Sequence, residues 1–122
     1  METVEIPLPR WAESLDRFTL THEGRLISVD VMSQEFGAQP EIRDLPLLGV
    51  TSETHERGPL IAIAAARSPS QHVTHFVREP THLWIERTNE GADTALEIES
   101  ADQTKTIVRL MHDVQPTIVS SA

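Results

Sequence analysis

Four residues, His75, Trp84, Glu97 and Arg109, have types that together could bind and transform a small anion. A guanidinium can hold a carboxylate or phosphate, an indole offers a flat apolar wall, and an imidazole can transfer a proton. His82 and Glu99, with Glu86 near them, form a second group of the imidazole–carboxylate kind that binds divalent metals. Each group has an ordinary alternative. Glu97 and Arg109 can form a surface ion pair, which is common and weak. Trp84 can pack under a helix or loop, and His82 can stand by chance on a solvated, charged face. These ordinary outcomes are the commoner ones.

Other motifs end before they become chemistry. His72 and His75 are three apart, which on a strand sends them to opposite faces. His55-Glu56 opens like a zinc-protease helix, but Arg57-Gly58-Pro59 follows and no second histidine stands at helical spacing. There is no Gly-x-Ser-x-Gly elbow, and five scattered glycines build no phosphate-binding loop. Glu86, Glu90, Asp93, Glu97, Glu99 and Asp102 could be taken for paired catalytic carboxylates. Alternation along strands makes most of them solvent-facing instead.

The elements that must position these residues lie between positions 72 and 111. Leu83-Trp84-Ile85-Glu86-Arg87-Thr88 is rich in β-formers, and Ala95-Leu96-Glu97-Ile98-Glu99-Ser100 alternates cleanly. A turn at Glu90-Gly91 sets Ile85 opposite Leu96 and Leu83 opposite Ile98 on a buried face. Trp84 then lies beside Glu97, and His82 beside Glu99. After a turn at Asp102-Gln103-Thr104, pairing Ile98 with Val108 and Leu96 with Leu110 extends the apolar face and places Arg109 opposite Glu97. A turn at Arg78-Glu79-Pro80-Thr81 brings His75 beside Trp84, which completes a four-strand row.

Upstream, Trp11, Leu15 and Phe18 fall at i, i+4 and i+7, so a helix over about 9–21 is expected. Pro9 suits its first position and Gly24 its end. Trp11 reads as a core anchor against the sheet. Ile27, Val29 and Val31 alternate as the first strand, and 33–46 reads as a loop containing Gly37, Pro40 and Pro46. A short strand at 47–51 is interrupted by Gly49, a sign of a bulge or close backbone approach. The apolar run 60–66 suits a strand buried on both faces. Residues 112–122 read as a loose tail in which Ile118 and Val119 could dock.

With 122 residues, the chain is long enough for one domain with a real core. Ten basic against 19 acidic residues give a net charge of −9, which disfavours nucleic acid and anionic membranes as partners. No cysteine is present, so disulfides, thiolate metal sites and thiol nucleophiles are excluded. The N-terminus lacks a signal-peptide pattern, and no apolar run is long enough to span a bilayer. The expected location is the cytoplasm.

The sequence resembles a bacterial family known as domain of unknown function 5335. The resemblance rests on Trp11 with Leu15-Asp16-Arg17-Phe18, His22-Glu23-Gly24, Gly37-Ala38-Gln39 and Leu45-Pro46-Leu47-Leu48-Gly49-Val50. It continues through His72-Val73-Thr74-His75, Pro80-Thr81, Glu90-Gly91-Ala92-Asp93 and Leu96-Glu97-Ile98-Glu99-Ser100, covering roughly residues 4–111. Where the family tends to have Asp-Gly in the last hairpin turn, this chain has Asp102-Gln103. The resemblance implies a compact bacterial domain and carries no assigned activity.

These observations define an α+β domain over 1–122: an antiparallel meander of about seven strands over 25–111, curved or partly closed as a barrel, with one N-terminal helix. The functional expectation is a non-catalytic binding or assembly module, as a homodimer or with a protein partner, and without a cofactor. The alternative is a small-molecule-binding or metal-dependent enzyme using His75, Trp84, Glu97 and Arg109, or His82 with Glu99.

Overall fold

The architecture is that of a computed structural model, which describes residues 1–111. The elements in order are β1 (Glu2–Glu5), a 3₁₀ turn (Leu8–Arg10), α1 (Trp11–His22), β2 (Leu26–Ser33), β3 (Gly37–His55), β4 (Gly58–Ser68), β5 (Gln71–Arg78), β6 (Pro80–Arg87), β7 (Asp93–Ser100) and β8 (Lys105–Leu110). The strands form one antiparallel sheet in the order β1-β6-β7-β8-β2-β3-β4-β5. It does not close, and β1 and β5 are its edges. The α+β class with a single N-terminal helix is as the sequence implied, with eight strands rather than about seven. The expected tail with Ile118 and Val119 lies outside the described residues.

The shape is set by β3, which changes neighbour along its 19 residues. Its first half pairs with β2, from Ser33↔Gly37 to Leu26↔Pro46, and its second half pairs with β4, from Leu47↔Ala65 to His55↔Gly58. The handover folds the sheet over, so that β4 meets β6 and β5 meets β7 across one core. The core holds Ile27, Val29, Ile61, Ile63, Leu83, Leu96, Ile98 and Val108, with Trp11, Leu15 and Phe18 supplied by α1. The loop expected over 33–46 is therefore largely strand. Pro40 is tolerated because this half of β3 has a strand on one side only, so its missing N–H breaks no ladder bond. In β4, Ile61, Ile63 and Ala65 are buried while their neighbours are half-buried, so burial is one-sided rather than equal on both faces.

As the apolar spacing requires, α1 buries Trp11, Leu15 and Phe18. It packs on β3 at Gly49, beside a register shift between Leu47 and Gly49. A Cβ on Gly49 would lie 3.2 Å from Thr19 Cγ2, so glycine permits this close approach. The Thr19 hydroxyl bridges the bulged backbone. It accepts from the Val50 N–H at 2.9 Å and donates to the Val50 carbonyl at 3.1 Å.

Two hairpin turns share one hydrogen-bond pattern. In the first, the Thr88 N–H donates to Ala92 O at 2.8 Å and the Gly91 N–H to Thr88 O at 2.9 Å. In the second, the Ser100 N–H donates to Thr104 O at 2.9 Å and the Gln103 N–H to Ser100 O at 2.8 Å. The equivalent residues Gly91 and Gln103 both take positive φ, 91° and 71°. Only glycine adopts that conformation without steric cost. Gln103→Gly is therefore expected to stabilise the fold by about 0.5–1 kcal/mol, read as a raised urea midpoint with an unchanged m-value.

Two expected registers are corrected. In the β7–β8 hairpin, Leu96 pairs with Val108 and Ile98 with Thr106, a shift of two residues that keeps every side chain on its expected face. β5 does not pair with β6: it pairs with β4, and β6 takes β1 on that side. Glu79, at φ 52°, turns the chain from one layer to the other, and its carbonyl accepts from the Ala101 N–H at 2.9 Å. Among the described residues, no helix is long and apolar enough to cross a membrane.

Candidate functional site

The outer face of the β6–β7–β8–β2 sheet collects most of the residues with chemical potential. Trp84 lies opposite Glu97 and His82 opposite Glu99, as the hairpin register required. The His82 ring stacks on Trp84 with centroids 5.3 Å apart and planes at 16°. Its Nδ1 donates to Glu5 Oε2 at 2.7 Å, so its carboxylate partner comes from the edge strand β1 rather than from Glu99. Lys105 Nζ lies 3.4 Å from Glu97 Oε1 and 5.9 Å from the Trp84 ring centroid. Arg109 Nη1 donates to Asp30 Oδ2 at 2.8 Å. Glu97 and Arg109 thus have other partners than each other. The two-residue shift puts Lys105 rather than Arg109 within reach of Glu97.

His75 is not on this face. It pairs with the fully buried Ile63 on the inner side of β5, whereas Arg109 alternates with the buried Val108 and points outward. The sheet therefore gathers Trp84, Glu97 and Arg109 on one face and places His75 on the other. Across from His75, the pairs Val29↔Ile42 and Asp30↔Pro40 leave Glu41 as the extra residue of a bulge. Glu41 Oε1 lies 3.9 Å from His75 Nδ1. Burial lowers the His75 pKa, and the Glu41 charge offsets part of that shift.

A third constellation was not visible in the sequence. His22, at the last position of α1 and 8% exposed, donates from Nε2 to Asp93 Oδ2 at 2.9 Å. Arg87 Nε donates to the other oxygen, Asp93 Oδ1, at 3.0 Å. The His22 ring also contacts Phe18, centroid to centroid at 4.7 Å. One carboxylate thus orients an imidazole and a guanidinium, and ties the end of α1 to the β6–β7 hairpin. No spacing rule connects residues 71 apart in the chain. The available signal was that His22 and Asp93 both fall in stretches that carry the family resemblance.

The remaining feature is the edge strand β5. It leaves Val73 37% and Phe76 48% exposed, with the Arg78 guanidinium 6.0 Å from the Phe76 ring centroid. Among the described residues, no three of His, Asp and Glu come together as a metal site.

The fold and these groups define a small antiparallel α+β domain, and comparison with known proteins places it more narrowly. The sequence matches the family described as Family of unknown function (DUF5335) over residues 2–116, and the chain belongs to that family. It is also similar to an uncharacterized protein of Aquifex aeolicus (strain VF5), 24% identical over 110 residues, which cover 90% of this chain and 93% of that protein. No solved structure matches.

Proposed function

We propose that this chain is a non-catalytic interaction domain that pairs with a second copy of itself along β5. The observation that carries this reading is the composition of the edge. Gln71-His72-Val73-Thr74-His75-Phe76-Val77-Arg78 holds no acidic residue in a chain of net charge −9. A sheet edge offers unpaired N–H and C=O groups to any strand that reaches it, and proteins usually blunt such edges with charge, proline or shortness. The opposite edge, β1, is blunted in that way: it has four residues, two of them glutamates. β5 is twice as long at eight residues, has neither lysine nor proline, and exposes Val73 and Phe76.

Two strongly acidic chains repel over most of their surfaces. Along β5 they can meet without like carboxylates in contact. A two-fold arrangement would use the same patch on both copies and satisfy both edges at once. The pairing of Glu97, Arg109 and His82 with other side chains supports a face that is satisfied rather than poised for catalysis.

Sedimentation equilibrium tests this. The wild-type chain is expected at twice its chain mass, and a Val73→Lys, Phe76→Lys variant at one chain mass with the same circular dichroism. Edge lysines oppose strand addition by charge and desolvation. A wild-type chain that stays monomeric at all concentrations, or a doubly substituted chain that still dimerises, would contradict the reading.

A further inference from the structure

Between β5 and the β7–β8 turn lies a cavity of about 240 Å³, lined by Val31, Val77, His75, Ser100 and Thr106 among others. Thr106 is 2% exposed, and its hydroxyl has no hydrogen-bond partner among the described residues. Its cross-strand neighbours on the inner face are Ile98 and Val31, both apolar, so the sheet itself offers it nothing. A buried hydroxyl left without a partner costs stability, and native proteins rarely keep one without a use.

The second observation is His75, which lines the same cavity from β5. Its nearest carboxylate, on Glu41, is 3.9 Å away, beyond hydrogen-bonding distance. Burial favours the neutral ring, which presents one donor and one acceptor nitrogen. A hydroxyl and a neutral imidazole therefore share one cavity, with the apolar side chains of Val31 and Val77 beside them.

We propose that this cavity binds a small uncharged ligand carrying both hydrogen-bond donors and acceptors, such as a polyol or a simple amide, with Thr106 and His75 as its polar contacts. Glu79 and Asp102 outnumber Arg78 in the lining, a balance that disfavours an anion. The Asp102 carboxylate is itself engaged by the Thr104 N–H at 3.0 Å. The proposal rests on Thr106 and the inner-face residue His75, neither of which the β5 pairing uses, although Phe76 also lines the cavity.

The test uses the full chain in an NMR titration with glycerol, acetamide and, as the charged comparison, acetate. At least one of the two neutral probes is expected to shift the amide resonances of Val31, Val77 and Thr106 saturably. Thr106→Val keeps the shape and removes the hydroxyl, so it weakens that binding about tenfold. The same change raises the thermal midpoint by roughly 3–6 °C, because it removes an unpaired buried polar group. A threonine with a structural hydrogen bond would give the opposite sign. A lowered midpoint, no response to either neutral probe, a response to acetate alone, or a response that Thr106→Val leaves intact would overturn the proposal.

Discussion

Trp11→Ala lowers the unfolding free energy by about 3–5 kcal/mol in urea titration, the largest stability loss expected from any single side chain here. Trp11 is 2% exposed and belongs to the core with Leu15 and Phe18. Truncation removes its transfer energy and leaves a cavity that the strands cannot fully collapse. It also removes a specific link. The indole Nε1 donates to the Ile6 carbonyl at 2.8 Å, and the Ile6 N–H donates to Leu83 O at 2.8 Å. The indole therefore pins the chain after β1 to both the helix and β6. Trp11→Phe keeps most of the ring and loses the donor, so it is expected to cost roughly 1–2 kcal/mol. Against a total stability of about 5–15 kcal/mol for an ordinary domain, only the alanine variant approaches unfolding. A cost below about 1 kcal/mol for Trp11→Ala would mean that α1 is not part of the core.

Asp93→Ala is the second large effect, about 2–4 kcal/mol. The carboxylate serves two donors at once, His22 Nε2 and Arg87 Nε. Its removal strands a nearly buried imidazole nitrogen and a partly buried guanidinium. Stranding a buried partner costs more than the intact bond contributes. Asp93→Asn retains one acceptor oxygen and is expected to lose roughly half as much. A double-mutant cycle with His22→Ala is expected to give a coupling of about 1–2 kcal/mol. Additive single losses in that cycle would show that the link between α1 and the β6–β7 hairpin carries no weight.

The β6–β7 hairpin was legible because strict alternation and a glycine turn fix register locally. The observed pairs Leu83↔Ile98, Trp84↔Glu97 and Ile85↔Leu96 follow from that pattern alone. The next hairpin misled by two residues because the apolar pattern seeks Val108 opposite Ile98. The turn instead spans Ser100 to Thr104 with Gln103 at positive φ, and Thr106 takes the buried position. A polar residue at an inner site breaks the rule by which register is read. Places where local rules fail in this way are where function is expected, which agrees with the cavity at Thr106.

The β5–β6 connection failed for a different reason. A short proline turn between two β-like runs reads as a hairpin. Here β4 and β1 are the preferred neighbours, and Glu79 sends the chain across the core. Nothing within residues 72–87 distinguishes the two outcomes, so the position of His75 relative to Trp84 depends on strands outside that stretch, β4 just before it and β1 far away in sequence. The His22–Asp93–Arg87 group was out of reach for the same reason: it exists only after α1 docks on β3.

Amide hydrogen exchange at two protein concentrations tests the β5 pairing most directly. Edge N–H groups of β5 that point away from β4 are expected to exchange slowly when the protein is concentrated and faster after dilution, while β1 amides do not respond. Fast exchange of those β5 amides at both concentrations, or concentration-dependent protection on β1 or around Trp84 instead, would contradict self-pairing along β5.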